Sequence, residues 1–462
     1  MTSIPQNTEM LNNSKLTLDN FFSAFKFSSL LRKANFYKSK GIPCLSILKY
    51  IFSLIFSHKN FYRHLETNEL DFKKDTVYRF LNSVHYNWKE LIASVSSIII
   101  NEKIKPLTKK KREKVFIVDD SIYERGRSKQ VELLSRVYDH NDNRYKSGFQ
   151  MLTLTWSDGN STVPVAFNMV ASSKEKNQLC KMNDSIDKRT NGYKRRCDAV
   201  KSKPDLMLDM LDIAEKHNIK ADYVLFDSWF SSPSTLLKLL KRQMHTIAMV
   251  KATKKVHYVV DGLHKDVKQI YKGLTRKRRK GDIIKSIIVH LEDKENDNER
   301  IPVRLVFVRN RNKKNDWLAL ISTDIDLKPE DIVRIYGKRW NIEVFFKTCK
   351  SYLKLIKEFQ SRSYDAIVAH TSIVFLRYMM LSIEERNTKD DRTIGDLFYL
   401  CCDELQDIRY IDSITLLLNL IKNELTEHLT LSKEAFDAIF DSFMLSLPNY
   451  IRANLGFSSC ES

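Results

Sequence analysis

The order of strand and helix patterns after residue 115 limits the fold of this chain more than any other feature. Runs of apolar or alternating residues predict strands, and the first run is short, apolar and typical of a buried strand. The predicted strands cover residues 115–119, 148–156, 162–167, 223–227 and 245–250. Helical patterns separate the later strands, near residues 205–217 and 231–243. Three strands followed by alternating helices and strands predict a mixed sheet with helices on its faces.

This order is similar to a ribonuclease H-like core, which implies a mixed five-stranded sheet flanked by helices. Residues 111–251 form the first part of the predicted core, and residues 325–386 complete it with helices. Between them, residues 252–324 show strand patterns separated by charged turns, so we expect a β-rich insertion. The strands predicted in the insertion cover residues 285–291, 301–308 and 316–323, with a dense basic loop at 274–282.

The flanking regions are helical in pattern. A flexible N-terminus, residues 1–20, precedes a predicted helical DNA-binding domain at residues 21–110. Residues 387–462 form a helical C-terminal region and are the candidates for dimer contacts.

The helical pattern of residues 72–83 predicts the second helix of a helix-turn-helix, with Asp75 as its N-cap. An ordinary three-helix packing unit is the alternative. The buried side chains would be Val77, Phe80 and Leu81, and the phosphate-binding side chains Lys73, Lys74 and Arg79.

Residues 331–355 predict one long helix with a charged face beside an apolar stripe. The stripe consists of Ile335, Ile342, Phe346 and Leu353. At about 100° per residue, four polar side chains lie within roughly 60° of one another. These are Tyr336, Arg339, Glu343 and Lys350. One carboxylate among cations suits a site where phosphates meet a metal, and an ordinary amphipathic helix with a mixed-charge face is the alternative.

Aspartates stand at the ends of two predicted strands. Asp119 and Asp120 end the first strand and Asp227 ends the fourth, so their carboxylates converge on one crevice at the edge of an open sheet. Glu343 would add a third carboxylate from its helix. Oxygen-only ligands select Mg²⁺ or Mn²⁺, and two such ions would activate a water and stabilise the leaving oxygen of a phosphodiester.

The spacing Y-x2-R-x3-E-x6-K, in order after the two strand-end aspartate motifs, resembles the signature of DDE transposases of the insertion-sequence-four family. The resemblance covers residues 115–385 and implies a cut-and-paste transposase acting on double-stranded DNA at transposon ends and target sites. It implies two Mg²⁺ (or Mn²⁺) ions held by Asp120, Asp227 and Glu343. It further implies a homodimer in the synaptic complex.

The resemblance also assigns DNA contacts. Tyr336, Arg339 and Lys350 would hold phosphates near a flipped terminal base. Trp317 resembles the insertion-domain tryptophan that stacks on that base, and a core aromatic of the sheet is the alternative reading.

Side chains alternate across a strand, so only one of the two adjacent aspartates enters the crevice. In related sequences the metal ligand is commonly followed by Thr or Ser. This favours Asp120, which precedes Ser121, and leaves Asp119 as the alternative.

Two other functions compete with an active transposase. One is a catalytically inactive, domesticated DNA-binding protein, although every charged position of the signature is present. The other is a ribonuclease H-like DNA nuclease without strand transfer, which would need neither the signature helix nor the insertion.

The composition agrees with a polyanionic partner. Lys and Arg number 77 against 57 Asp and Glu, a formal charge of +20. The seven cysteines include no C-x-x-C pair, so neither a zinc finger nor a disulfide framework is predicted. The N-terminus lacks a signal-peptide pattern and the most apolar run is too short for a bilayer. We expect a cytoplasmic protein at the bacterial nucleoid, with no membrane partner.

Overall fold

The structure is a computed structural model, and its description covers most of the chain. The described residues are 17–57, 72–139, 142–274, 282–293, 299–310, 313, 316–387, 398–399, 402 and 433–446. Residues 1–16, nearly all of the basic loop 274–282, and all of the region 388–462 except residues 398–399, 402 and 433–446 lie outside this description.

The described helices and strands are numbered here in chain order. The α-helices are α1 Thr17–Ala24, α2 Phe27–Lys33, α3 Cys44–Ser53, α4 Lys74–Leu81, α5 Trp88–Ile98, α6 Asn191–Ala199, α7 Lys203–Lys216, α8 Pro233–Lys241, α9 Val267–Gly273, α10 Pro329–Gly337, α11 Trp340–Ser351, α12 Tyr364–Asn387 and α13 Lys433–Ser446. The strands are β1 Val115–Glu124, β2 Ser135–Asp139, β3 Arg144–Ser157, β4 Thr162–Val170, β5 Tyr223–Phe226, β6 His245–Val250, β7 His257–Val260, β8 Leu263–Asp266, β9 Ile283–Asp293, β10 Glu299–Arg309 and β11 Trp317–Ser322.

The centre of the sheet has the order β4-β3-β1-β5-β6. β3 pairs antiparallel with β1 and β4, whereas β1, β5 and β6 run parallel. These five strands are the ones predicted for the core, and their mixed pairing agrees with the expectation of a mixed sheet. The carboxyl ends of the parallel strands β1 and β5 therefore meet at one edge of the sheet.

The expectation of a five-stranded sheet is nevertheless wrong, because the described residues form one sheet of eleven strands. The insertion continues the core sheet: β11 pairs antiparallel with β6, and β10, β9, β7 and β8 follow outward. The sequence analysis predicts β9, β10 and β11 but misses β7, β8 and α9. The two short strands contain only four residues each, too few for a clear alternation.

The predicted helix at residues 331–355 is divided into α10 and α11. Backbone amides of Lys338 and Arg339 donate to carbonyls three residues earlier, a tighter turn than an α-helix makes. Tyr336 consequently belongs to α10, while Arg339 immediately precedes α11. The predicted apolar stripe is buried in both helices, so the helical period of the sequence continues across the break between α10 and α11.

Residues 191–199 form α6, a helix that the hydrophobic pattern does not predict. The buried face of α6 carries Arg195 and Arg196, which a hydrophobic pattern does not reveal. Arg196 donates to both Asp365 and Glu132, so α6 is joined to α12 by buried charges. At Gly192 an added Cβ would lie 2.7 Å from the Val84 side chain, which explains glycine there.

The N-terminal helices pack on the core rather than standing apart. One cluster of buried apolar residues runs from α1 through the sheet to α12. The buried Arg377 of α12 donates to Glu358 and to the carbonyl oxygens of Ile51 and Phe52 in the last turn of α3. A guanidinium at a helix C-terminus is favourable. The domain division at residue 110 stays a prediction.

In the predicted helix-turn-helix segment, Val77, Phe80 and Leu81 are buried as expected. The N-cap assignment is wrong: Lys73 occupies that position, and Asp75 lies in the first turn without capping it. An acidic side chain in the first turn still complements the helix dipole.

One described helix, at residues 364–386, is long and apolar enough to cross a membrane by length and composition alone. Its whole apolar window is buried inside the protein, as in the central helix of a packed core.

Arg377→Met should lower the free energy of unfolding by about 3–5 kcal/mol, because Glu358 would stay buried without its guanidinium. Denaturant titration measures the loss. Arg189→Met is the control, since that side chain is 91% exposed in its ion pair with Asp187 and its removal should change little. Equal stabilities of the two variants would contradict the anchoring role of Arg377.

Candidate active site

Carboxylates from β1 and from the turn after β5 meet at the carboxyl edge of the parallel strands. Val118 and Phe226 are the last paired residues of these strands, and Asp119 and Asp227 follow them directly. The backbone N–H of Trp229 donates to Asp227 Oδ1 at 2.9 Å, which fixes this carboxylate in its turn. The convergence predicted from the strand ends is therefore seen for these two residues.

Arg339 links the strand to the signature helix. Its Nη1 lies 2.7 Å from Asp119 Oδ2 and its Nη2 lies 2.6 Å from Glu343 Oε1. Asp119 and Arg339 are mostly buried, and Glu343 is 37% exposed. One guanidinium thus bridges carboxylates that are distant in sequence, although the sequence analysis expects Arg339 to contact phosphate.

Asp119, and not the preferred Asp120, shares a face with the signature helix. Two residues beyond Asp119, Ser121 Oγ accepts from Lys350 Nζ at 2.6 Å, so α11 covers one side of β1 at both positions. Asp120 alternates to the other side of the strand, where its Oδ2 lies 3.1 Å from Lys203 Nζ of α7. The sequence does contain this information: Asp119 and Ser121 are two residues apart on a strand, so their side chains lie on the same side of β1. Which aspartate binds a metal stays a prediction.

Burial and mutual repulsion raise the pKa values of Asp119 and Asp227. Burial raises the pKa of Asp119 to about 7; Arg339 opposes the shift, while Asp227 adds to it. Burial likewise raises the pKa of Asp227, and Asp120 contributes further. Strongly perturbed pKa values of this kind are concentrated at functional sites.

The remaining residues of the signature face the same region. Burial raises the pKa of Tyr336, and Asp227 and Asp119 lie near enough to raise it further. Burial lowers the pKa of Lys350. All four signature residues thus lie around the end of β1, despite the break between α10 and α11.

The donor chemistry suits Mg²⁺ or Mn²⁺, because Asp119, Asp227 and Glu343 offer only carboxylate oxygens. In the part of the chain that the structure describes, no three His, Cys, Asp or Glu side chains are grouped closely enough to hold a metal ion. Arg339 supplies the positive charge between two of the carboxylates here. The site thus fits the ion in ligand type, with a guanidinium in the intervening space.

Trp317 packs within the insertion, as the core-aromatic reading expects. Its ring stacks on Tyr271 with centroids 4.5 Å apart and meets Phe307 edge-on at 5.2 Å. It is only partly exposed at the start of β11. The stacking role that the resemblance assigns to Trp317 stays a prediction.

The predicted phosphate-binding residues of the N-terminal region border a basic groove. Lys73 and Arg79 line a cavity of about 630 Å³ together with Lys38 and Lys40, and all four side chains are exposed. Lys74 is exposed but does not line the groove. Lys38 and Lys40 are not predicted from the sequence, because they stand in a loop without periodicity.

The chain was compared with models of known protein families and with curated proteins. A family model described as DDE superfamily endonuclease matches residues 53–300, just over half of the chain. The match includes the strand-end aspartates and ends before the signature helix. No curated protein matches the chain.

Trp317→Ala should lower the free energy of unfolding by about 2–3 kcal/mol without any DNA present, because it removes the stack on Tyr271. Trp317→Phe should retain most of the stability. Denaturant titration checks both variants, and an unchanged Trp317→Ala midpoint would instead favour an exposed stacking residue.

Proposed function

Because the chain belongs to the DDE superfamily endonucleases, we propose that it is a transposase of the insertion-sequence-four family, which cuts double-stranded DNA at the ends of a mobile element and joins them to a target. The observation that carries the proposal is the bridge from Asp119 through Arg339 to Glu343 beside Asp227. It joins one strand-end aspartate to the helical glutamate through one positive charge, and the second strand-end aspartate follows the neighbouring strand in register.

Asp119, Asp227 and Glu343 would hold two Mg²⁺ or Mn²⁺ ions. When bound, these ions supply an activated water and stabilise the leaving oxygen of the phosphodiester. We assign Asp119 rather than Asp120 because Asp119 shares the face of Glu343 and follows the strand pair in register with Asp227. Asp120 would orient Lys203 on the other side of β1.

The signature side chains would position the cleaved strand. Arg339 can offer paired N–H groups to a phosphate once its carboxylate partners bind cations instead. Lys350, held by Ser121, adds a point charge along the same face. Tyr336, whose hydroxyl is buried, lies near Arg339, which lowers the pKa of that hydroxyl against the effect of burial.

The basic groove of Lys38, Lys40, Lys73 and Arg79 would bind the DNA duplex at some distance from the phosphodiester that is cleaved. Arg377 of α12 holds the last turn of α3, the helix that follows Lys40 in the chain. A homodimer at the nucleoid, working in the cytoplasm, follows from this function, since two ends must be cut together.

A hydrolytic DNA nuclease without strand transfer is the second candidate. It is favoured by one observation: the family match stops at residue 300, before the signature helix. Recovery of joined products from terminal inverted-repeat DNA favours the transposase, and cleaved products alone favour the nuclease.

Asp119→Asn and Glu343→Gln should each lower the rate of Mg²⁺-dependent cleavage by about 10³-fold or more, while DNA binding persists. Asp120→Asn should retain most of the cleavage, because that carboxylate faces Lys203. Gel assays of cleavage and of binding, with and without EDTA, measure these effects. Loss of cleavage in Asp120→Asn with full activity in Asp119→Asn would reverse the assignment.

The double variant Lys73→Ala/Arg79→Ala should bind duplex DNA more weakly and reduce the salt dependence of log K by about two. Fluorescence anisotropy over a range of salt concentrations measures the slope. Lys174→Ala/Lys176→Ala removes the same charge from an exposed loop after β4 and should leave the slope unchanged. Identical slopes in the two double variants would exclude the groove as the duplex site.

A further inference from the structure

A carboxylate that stands two residues before β1 holds the break between α10 and α11. Lys338 Nζ, at the break, donates to the backbone oxygen of Glu113 at 2.6 Å and to its Oε2 at 3.1 Å. Arg334 of α10 donates to both carboxylate oxygens of Glu113, at 2.9 and 2.5 Å. The Arg334 guanidinium holds the pKa of Glu113 at about 2, so this carboxylate is ionised near neutral pH. These three residues are called the Glu113 clamp below.

The two consecutive residues at the break reach opposite ends of the segment of β1 that pairs with β5. Lys338 binds Glu113 before that segment begins, and Arg339 binds Asp119 directly after it ends. Six residues of extended chain span about 20 Å, so the break is held at two widely separated points. Glu343 lies one turn after Arg339 on α11, so a change in the direction of α11 at the break would move its carboxylate away from Asp119.

The ammonium of Lys338 is confined as well as paired. Its side chain is 13% exposed and lies over the turn between β3 and β4, where a Cβ added to Gly159 would be 3.4 Å from Lys338 Cε. One turn further along, Asn341 Nδ2 donates to Ser157 Oγ at 3.0 Å, at the end of β3. The first residues of α11 are therefore held against the sheet by polar contacts on the side away from Asp119.

The residue that ends α10 does not fix the break by itself. The φ angle of Gly337 is outside the left-handed region, and an added Cβ would meet no atom within 4 Å. Space and backbone conformation thus allow a larger residue, and glycine leaves the chain more freedom at this point than alanine would. The direction of α11 consequently depends on side-chain contacts on either side of Gly337.

We propose that Glu113 is a positioning residue, which holds the break so that Arg339 and Glu343 face Asp119. The inference rests on the proposed function for the reaction that these side chains serve. Glu113 acts through α11 and contacts neither the cleaved phosphate nor a metal ion, because it lies at the other end of the paired segment. Partly exposed ion pairs contribute roughly 0–1 kcal/mol to stability, so loss of Glu113 should leave the fold intact and free α11 to move.

The test compares Glu113→Gln with Asp331→Asn in the full chain. Asp331 also pairs with Arg334, at 3.0 Å, and its replacement removes the same charge, but within the described residues its ion pair is with Arg334 alone. Without DNA or metal, backbone amides of residues 338–344 should exchange hydrogen about 10-fold faster in Glu113→Gln and at the wild-type rate in Asp331→Asn. Mg²⁺-dependent cleavage should fall roughly 10-fold in Glu113→Gln alone, with DNA affinity unchanged.

Gly337→Ala is the rescue variant, because its methyl group has room and reduces the freedom of the chain at the break. Combined with Glu113→Gln, it should restore most of the exchange protection and of the cleavage rate. Wild-type exchange in Glu113→Gln would overturn the proposal, and so would an equal loss of cleavage in Asp331→Asn or a collapsed denaturant midpoint in Glu113→Gln. If exchange changes as expected but wild type never cleaves with Mg²⁺, the clamp stands and the proposed transposase activity fails.

Discussion

The candidate active site depends on the free energy needed to ionise carboxylates at the ends of two buried parallel strands. Asp119 and Asp227 follow β1 and β5 in register, and both are difficult to ionise without a cation nearby. Arg339 meets that requirement by joining Asp119 to Glu343. This ion pair and the buried apolar side chains of α11 together place the helix against the sheet.

Much of the fold could be predicted because hydrophobic periodicity reports which face of a segment is buried. The strands around Asp119 and Asp227 and the long apolar helix α12 all have a clear period. The register that brings two aspartates together follows directly from such strands. Segments whose buried face is ionic give no such signal, and α6, with Arg195 and Arg196 inside, was missed for that reason.

Other features depend on contacts between distant parts of the chain. The sides of β1 on which Asp119 and Asp120 lie are distinguished only in space, because α11 covers the side of Asp119 through Lys350 and Ser121, whereas Lys203 contacts Asp120. The break after Gly337 is likewise invisible to a pattern whose apolar positions stay in phase. The packing of Trp317 on Tyr271 is likewise a contact between distant segments that no residue pattern reveals, and its role in stacking on a base stays a prediction.

The pairing of β11 with β6 makes the insertion part of the architecture of the core. β6 is hydrogen-bonded on both flanks, by β5 and by β11. A shortened chain lacking β11 would therefore leave a row of unsatisfied amides and carbonyls along β6, a template for association with other molecules. Loss of this segment during evolution would require another strand or helix to shield β6, and so the two parts of the sheet are expected to be inherited together.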